Sequence, residues 1–313
     1  VNLTIVDANS DILDYFDKIV YHLDEPQADP APINVYNICN EAKKHGIKVM
    51  LGGTAGDDLF SGYRRHQALR LEKVLVFLPL FLRKFLKKTV SGLNKQNPKY
   101  RRLSKVLRNV DQSKSERMLG YFDWLDAKSL NGLFLKENNF DHHSFFKKLT
   151  KSLPKKTSDL NKMLFWELNT FLVDHNLNYT DKLSMATGVE VRVPFLDKEL
   201  VEFSTKIPVN LKLKGNETKY ILKKVAEKYL PKEIIYRPKT GFGAPVREWI
   251  LNDMSSMINT YLSKEVIEKR KIFNYNKVQE LIEKNKQGKV DASYTIWSLL
   301  AIESWMQQFY NKI

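Results

Sequence analysis

A glycine-rich loop between a predicted strand and a predicted helix constrains the fold of this chain more than any other feature. Residues 48–51 read as a short buried strand, which breaks into the loop 52–56. Asp57 and Asp58 then begin a helix, and another helix is predicted over 33–45, before the strand. Helix, strand, glycine loop and helix in this order form the unit of a parallel α/β sheet.

The chemistry of this loop suits an anionic ligand. Glycines let backbone N–H groups approach a ligand closely, and the loop leaves the carboxyl end of a strand, where open α/β sheets bind ligands. The next helix start adds free N–H groups, and the carboxylates of Asp57 and Asp58 could hold Mg²⁺ against phosphate oxygens. The alternative is an ordinary strand-to-helix turn that Asp57 caps. The loop alone leaves both interpretations open.

The rest of the chain is predicted to be mainly helical. Asn9 and Ser10 are good caps for a helix that begins at Ile12 and ends near His22. Beyond residue 65, apolar residues recur at helical spacing in further segments, at about 113–126, 158–180, 217–230, 246–262, 275–285 and 292–310.

Too few strands are visible for a complete parallel sheet. Besides 48–51, only residues 3–6 read as a strand. We therefore expect the earlier strands of the sheet to lie upstream of Val1. The predicted fold class is α/β, with a partial parallel sheet over 1–65 and a mainly helical part over 66–313.

The chain is strongly basic, and the excess charge is concentrated in one segment. It has 51 Lys and Arg against 36 Asp and Glu, a net charge of +15, and ten basic but no acidic residues fall within 83–110. An apolar stripe runs along the helix predicted there: Leu78, Phe81, Leu82, Phe85 and Leu86. The segment is either a solvated face of a core helix or a surface for nucleic acid or anionic membrane. We expect no nucleic-acid partner, and only weak membrane-surface contact through 83–110.

The single cysteine, Cys39, excludes a disulfide framework and a cysteine-based zinc site, and it fits a reducing, cytoplasmic compartment. We expect it to be a core thiol. The longest apolar run, 74–82, is too short to cross a bilayer, which takes roughly 20 residues. A cytoplasmic protein is predicted.

Several blocks of sequence over about 21–250 occur together in one order. The loop block reads Leu-Gly-Gly-Thr-Ala-Gly-Asp-Asp-Leu-Phe-Ser-Gly-Tyr over 51–63. The other blocks are Asp24-Glu25-Pro26-x-Ala28-Asp29-Pro30, Asp181-Lys182-Leu183-Ser184-Met185-Ala186, Glu190-Val191-Arg192-Val193-Pro194-Phe195-Leu196-Asp197, Lys219-Tyr220-Ile221-Leu222-Lys223-Lys224 and Lys239-Thr240-Gly241-Phe242-Gly243. Together they resemble the synthetase domain of the glutamine-dependent asparagine synthetases, whose loop reads approximately L-S-G-(D/E)-G-(G/S)-D-E-x-F-x-G-Y.

This resemblance implies a fold and a reaction. The fold is a partial parallel-sheet ATP-pyrophosphatase domain, like the adenine nucleotide α-hydrolases, followed by a mainly helical part. The reaction uses ATP and Mg²⁺ to adenylate a small-molecule carboxylate, aspartate by family default, and releases pyrophosphate. Ammonia from a separate glutaminase domain then displaces AMP and leaves an amide.

The resemblance also assigns roles to individual residues. Nucleotide-binding positions fall on Leu51, Gly52, Gly53 and Asp57, and Asp57 is also the Mg²⁺ position. Catalytic positions fall on Lys219, Asp58 and Thr54, with Lys219 stabilising both transition states. Arg192 and Asp197 are expected to hold the helical part together. Asp24 and Glu25 either border the pocket or form a helix stop and turn.

The chain departs from the family pattern in three respects. The phosphate loop S-G-G-x-D-S and the cysteine glutaminase domain are absent, so we expect this chain alone to be inactive. Thr54 stands where the family has a carboxylate, and Gly52 where it has serine. A threonine hydroxyl is too weakly acidic to be a general base at neutral pH.

The threonine at position 54 favours, as an alternative function, amidation of a sugar carboxylate in surface-polysaccharide biosynthesis. A further alternative is a non-catalytic basic protein that binds nucleic acid or membrane.

Overall fold

The computed structural model describes residues 3–6, 12–75, 77–136, 141, 143–238 and 241–310. This part of the chain contains twenty α-helices and two short strands. The strands are β1 (Val49–Leu51) and β2 (Glu190–Arg192). The helices are α1 (Ile12–Leu23), α2 (Ala31–Lys44), α3 (Gly56–Phe60), α4 (Arg64–Leu75), α5 (Leu80–Ser91), α6 (Pro98–Leu107), α7 (Lys114–Leu119), α8 (Ala127–Asn131), α9 (Ser144–Lys151), α10 (Asp159–Asn169), α11 (Asn178–Met185), α12 (Lys198–Lys206), α13 (Val209–Lys212), α14 (Tyr220–Ala226), α15 (Lys232–Ile235), α16 (Val246–Leu251), α17 (Ser255–Tyr261), α18 (Lys264–Arg270), α19 (Tyr275–Lys286) and α20 (Ser293–Trp305).

The predicted strand before the glycine loop is confirmed as β1, and it pairs in parallel with β2. Its predicted burial is wrong, because Val49 and Leu51 are 43% and 74% exposed. Of the three β1 residues, only Met50 packs against the main core. In the described residues, β2 is the only strand paired with β1, so the sheet has two strands and the side chains of Val49 and Leu51 stay exposed. Parallel strands are normally buried on both faces, so β1 and β2 form a minimal and unusually exposed sheet.

The second predicted strand, at residues 3–6, is not formed. Leu3 and Ile5 are largely exposed, and no neighbouring strand supplies ladder hydrogen bonds to this segment. A lone extended segment gains little from its own β propensity, which reflects packing and pairing. The fold is therefore a mostly helical α/β arrangement with a two-stranded parallel sheet. The domain boundary at residue 65 stays a prediction.

The first two predicted helices are confirmed, as α1 and α2. Asn9 and Ser10, the predicted caps of α1, lie outside the described residues. Gly46, which follows α2, has φ +72°, the left-handed conformation that commonly ends a helix. The helix predicted at 275–285 is confirmed as α19.

Three long predicted helices are interrupted. The segment 158–180 consists of α10, a π-helical stretch at Phe171–Leu177, and α11. The segment 246–262 is split into α16 and α17, and α20 continues into a π-helical stretch at Met306–Tyr310. Two other segments are shorter than predicted, since α7 ends at Leu119 and α14 begins only at Tyr220. Apolar periodicity detects a helical face but not a widened or broken turn.

One large core fixes the position of β1 and its loop. Buried side chains of α1 and α2 pack with those of α11, α16 and α20, and Phe16 meets the edge of Trp297 at 4.9 Å between ring centroids. Cys39 lies in this cluster at 2% exposure, which confirms it as a core thiol. Burial raises the pKa of its thiol.

The basic segment forms a helical hairpin, in which α5 packs on α6. Leu78 and Leu86 pack on a small core of Leu75, Val90, Leu107 and Val110. The predicted apolar stripe is only partly buried, because Phe81 and Phe85 point to solvent. Across the described residues, we find no helix with both the length and the apolar character that a membrane span requires.

Candidate functional site

The glycine loop leaves β1 toward a large cavity. The Gly52 N–H donates a hydrogen bond to the Arg192 carbonyl at 2.7 Å, which continues the pairing of the two strands by one residue. A Cβ at Gly52 would lie 3.0 Å from the Val191 side chain, so the close strand contact favours glycine. Ala55 then turns the chain with φ +71°, and α3 begins. The loop is thus held at the end of β1 by the sheet itself.

Asp57 and Lys219, both predicted from the resemblance, lie side by side. The Lys219 Nζ is 2.7 Å from Asp57 Oδ1, and the two side chains are 31% and 24% exposed. Asp57 lies in the first turn of α3, while Lys219 directly precedes α14 with φ +55°. A non-glycine residue in the left-handed region is uncommon and, in functional sites, often holds a side chain in a required position.

Gly62 shapes the surroundings of Asp57, although it was not among the predicted site residues. Its N–H donates to the Asp57 carbonyl at 2.8 Å. A Cβ on Gly62 would lie 1.9 Å from Asp57 Oδ1, so any side chain there would displace the carboxylate. The sequence signal was available, because Gly62 belongs to the matched loop block.

Asp58 differs from its neighbour Asp57 by being almost fully buried. Its two carboxylate oxygens lie 3.2 and 3.1 Å from the Tyr63 hydroxyl, which also accepts a hydrogen bond from Asn176. Burial, together with the negative charge of Glu167, raises the pKa of Asp58 to about 7. Asp58 is therefore a buried carboxylate in surroundings that favour its protonated form.

A second buried carboxylate, Glu167, lies behind the site. It accepts hydrogen bonds from Arg65 and from His66, whose Nε2 is 2.8 Å from Glu167 Oε2. Burial alone would raise the pKa of Glu167, but the adjacent Arg65 and His66 hold it below its usual range. The Arg65 guanidinium also lies over the rings of Tyr63 and Phe171, at 4.1 and 4.6 Å from their centroids.

The cavity has a volume of about 1050 Å³ and contains all the predicted site residues in its wall: Leu51, Gly52, Gly53, Thr54, Asp57, Asp58 and Lys219. Three further cationic side chains, Arg65, Lys223 and Arg237, line the same space. Its size is at the upper end of that of small-molecule sites. The structure therefore brings the predicted residues together around one space.

Sequence reasoning missed the π-helical wall of this cavity. The widened turn at Phe171–Leu177 places Phe171, His175 and Asn176 along it. The Phe171 and His175 rings stack at 4.6 Å, and His175 Nε2 lies 3.4 Å from an oxygen of Asp29. Single π-helical turns are frequent at functional sites, but no pattern in the sequence indicates this one.

Another part of the wall comes from aromatic residues far apart in the sequence. Trp124 and Tyr294 stack at 3.9 Å between ring centroids. Gly241, Phe242 and Gly243, from the last matched block, also line the cavity. Lys239 and Thr240, the first two residues of that block, lie outside the described residues.

Asp24 and Glu25 form the stop and turn after α1, one of the two interpretations of that block, and Arg192 and Asp197 make local contacts. Asp24 pairs with Lys182, and Glu25 accepts a hydrogen bond from Asn178 at 2.6 Å, so both tie the end of α1 to α11. Arg192 pairs with Glu190 of its own strand rather than with a helix. Asp197 caps α12 by accepting the Leu200 N–H.

The cavity offers one carboxylate, that of Asp57, that fits Mg²⁺ in a nucleotide site. Among the described residues, no three His, Cys, Asp or Glu side chains group around a point as a metal cage would need. Mg²⁺ in nucleotide sites does not need such a cage, because one or two carboxylates and the substrate phosphates suffice. Asp57, a partly exposed carboxylate at the cavity, fits that requirement.

Comparisons with known proteins identify the family of this chain. A family model described as asparagine synthase matches residues 3–307. "Asparagine synthetase [glutamine-hydrolyzing] 1" of Bacillus subtilis is 31% identical over 307 residues, which are 97% of this chain and 47% of the relative. A putative asparagine synthetase of Mycobacterium tuberculosis is 28% identical over 293 residues, 92% of this chain and 43% of the relative. The chain spans about half the length of these curated relatives. The resemblance is confirmed, and the chain belongs to the asparagine synthase family.

Proposed function

We propose that this chain is the synthetase part of an ATP-dependent amidotransferase, which adenylates a substrate carboxylate and then forms an amide with ammonia. The observation that carries the proposal is the Asp57–Lys219 pair beside the glycine loop, in a cavity of about 1050 Å³. A carboxylate that can hold Mg²⁺ and an ammonium that can offset phosphate charge are what transfer from ATP requires. Membership of the family supports the same reaction class.

Both half-reactions move negative charge onto a phosphate oxygen. In the first, a carboxylate oxygen bonds to the α-phosphorus of ATP, the bond from that phosphorus to the bridging oxygen breaks, and pyrophosphate leaves. In the second, the ammonia nitrogen bonds to the acyl carbon and passes one proton to solvent water, the bond from that carbon to the phosphate oxygen breaks, and AMP leaves with the bonding electron pair. Lys219 offsets the charge on the leaving oxygen in each step. Bound Mg²⁺ would neutralise phosphate charge further, and Asp57 is the residue that would hold it.

We propose that Asp58 acts by positioning the loop rather than by contacting substrate. Its carboxylate is almost fully buried and hydrogen-bonded to Tyr63. Because Asp58 is the next residue after Asp57 on α3, this buried contact fixes the orientation of the helix start that carries Asp57.

Thr54 supports a second candidate for the substrate. It lines the cavity, and within the described part of the chain its side chain makes no hydrogen bond. The hydroxyl can bind a polar substrate group but cannot act as a base at neutral pH. A sugar carboxylate, with its several hydroxyls, suits this residue better than aspartate does.

The substrate is tested by ATP–pyrophosphate exchange, using protein expressed from the complete reading frame. Aspartate, glutamate and nucleotide-linked uronic acids are compared side by side. Because the Thr54 hydroxyl can hydrogen-bond a sugar hydroxyl, we expect faster exchange with a uronic acid. Exchange with aspartate alone, with asparagine formed on adding ammonia, would identify aspartate as the substrate. Exchange with none of them would contradict the proposed function itself.

Gly62→Ala is expected to lower the exchange rate by about tenfold to a hundredfold, because the added methyl group displaces the Asp57 carboxylate. The measurement is the same exchange assay, at saturating ATP and carboxylate. Gly92→Ala is the matched control, since the nearest atom to its added Cβ is 3.9 Å away and it is not in the cavity wall. Equal rates for both variants would show that the placement of Asp57 does not depend on Gly62.

A further inference from the structure

The solvent side of α5 combines exposed aromatic and basic side chains in a way that the proposed catalysis does not use. We define the α5 face as Leu80, Phe81, Lys84, Phe85 and Lys88, all of which are exposed. Phe81 and Phe85 follow each other at four-residue spacing and are 74% and 62% exposed. Leu80, Lys84 and Lys88 form the adjacent row of the same helix. The exposed rings of Phe81 and Phe85 leave apolar surface in contact with water. Binding of a partner would bury this surface and lower the free energy.

The apolar surface continues beyond the start of the helix. Phe77, in the turn between α4 and α5, is 86% exposed. The opposite side of α5 faces the hairpin core. Leu82 and Leu86 are half-buried there, and Val90 is buried. The exposed phenylalanines are therefore not needed to hold α5 in place.

All charged residues of the segment that carries the α5 face, residues 73–110, are basic. No Asp or Glu occurs between Glu72 and Asp111. Several basic residues of the segment serve the fold: Lys87 pairs with Asp111 at 2.8 Å, and the Lys95 ammonium donates to backbone carbonyls. Four others are exposed and form no ion pair among the described residues: Lys84, Lys88, Lys99 and Arg102. Of these, Lys84 lies close enough to Asp111 to help lower the pKa of that carboxyl.

We propose that the α5 face binds the surface of an anionic lipid bilayer, with Phe81 and Phe85 inserted among the lipids and Lys84 and Lys88 at the headgroups. Exposed apolar side chains with lysines beside them on one helix are typical of helices that lie in the membrane interface. Anionic headgroups complement the acid-free segment, and each basic side chain near them adds attraction.

Two other partners fit the face less well. A second copy of the chain would bring two basic surfaces together in a symmetric contact, where like charges repel. A nucleic acid would match the charge, and its bases could stack on phenylalanine, but it has no apolar phase for Leu80 and the protruding Phe77. A bilayer with anionic lipids can bury the apolar side chains of the face and also attract its lysines.

The proposal is tested by sedimentation of the protein, expressed from the complete reading frame, with vesicles. Vesicles of phosphatidylcholine with about one third phosphatidylglycerol are compared with pure phosphatidylcholine, at salt concentrations from about 0.05 to 0.5 M. We expect binding to the anionic vesicles, weakening as salt rises, and binding at least about tenfold weaker to the neutral ones.

Two variants assign the binding to the α5 face. Phe81→Ala/Phe85→Ala is expected to lower the vesicle partition coefficient at least about tenfold, because both rings lose their burial in lipid. Lys84→Ala/Lys88→Ala should weaken binding about tenfold and flatten its salt dependence. Phe203→Ala is the matched control, since Phe203 is 61% exposed on α12 beside Glu199 and Glu202, and it should bind like wild type.

Several results would overturn the proposal. These are no binding of wild type to anionic vesicles, binding that the phenylalanine pair does not change, or an equal loss in Phe203→Ala. Binding of a single-stranded RNA at physiological salt without vesicle binding would assign the face to nucleic acid. A dimer in sedimentation velocity that dissociates in Phe81→Ala/Phe85→Ala, again without vesicle binding, would assign it to self-association. Unfolding profiles check that each variant is folded, and the lysine variant tests the proposal independently of the phenylalanine pair.

Discussion

Asp57→Asn is expected to lower ATP–pyrophosphate exchange by about 10²–10³-fold, in protein expressed from the complete reading frame. The substitution keeps the volume of the side chain but removes the charge that would hold Mg²⁺ and that pairs with Lys219. A neutral amide is a poor replacement, because Mg²⁺ at phosphates prefers carboxylate oxygens. The loss should appear in the rate at saturating ATP, and raising the Mg²⁺ concentration should recover only part of it.

The same substitution should change stability little. The Asp57–Lys219 pair is partly exposed, and such pairs contribute at most about 1 kcal/mol to folding. Asp111→Asn is the matched control, because Asp111 is also 24% exposed, is also paired with a lysine, at 2.8 Å, and lies outside the cavity wall. Thermal unfolding of the two variants should differ little, while only Asp57→Asn loses exchange. Near-normal exchange in Asp57→Asn would show that Asp57 does not hold Mg²⁺ in the reaction.

The local pattern of the sequence predicted the unit that carries the site. The apolar run before the glycines indicated β1, and the glycines indicated the loop that joins it to α3. These predictions succeeded because strand and turn signals depend on neighbouring residues. The exposure of Leu51 could not be predicted in this way, since burial depends on which distant segments cover the strand.

The assignment of Asp57 and Lys219 to one site came from the family resemblance and not from physical patterns in the sequence, and their ion pair was not predicted. A lysine on a predicted helix is normally solvated, and nothing in its neighbours indicates a carboxylate partner in a distant segment. The structure explains the contact through β2, which follows α11 and aligns with β1. After β2 the chain continues through α12 and α13 to Lys219, whose left-handed backbone precedes α14. Neither the π-helical wall nor this backbone conformation leaves a signal in apolar periodicity.

Lys219→Met and Lys219→Gly are both expected to lose at least about a hundredfold in ATP–pyrophosphate exchange and in ammonia-dependent amide formation. Each removes the ammonium that lies 2.7 Å from Asp57 Oδ1. Methionine retains most of the side-chain length, so a similar loss in both variants would assign the effect to the charge. Lys114→Met is the control, since Lys114 forms an ion pair with Asp159 outside the cavity wall.

The two Lys219 variants should differ in their free energy of unfolding. Comparing this difference with their activities distinguishes a catalytic lysine from a structural one. Lys219 has φ +55°, a conformation that costs a residue with a Cβ roughly 1–2 kcal/mol and costs glycine almost nothing. Losing the partly exposed ion pair costs at most about 1 kcal/mol in either variant. Lys219→Gly should therefore be as stable as wild type or slightly more stable in chemical denaturation, whereas Lys219→Met should be slightly less stable. If activity instead followed stability, so that Lys219→Gly kept exchange while Lys219→Met lost it, the lysine would serve the fold and its assignment to the reaction would be wrong.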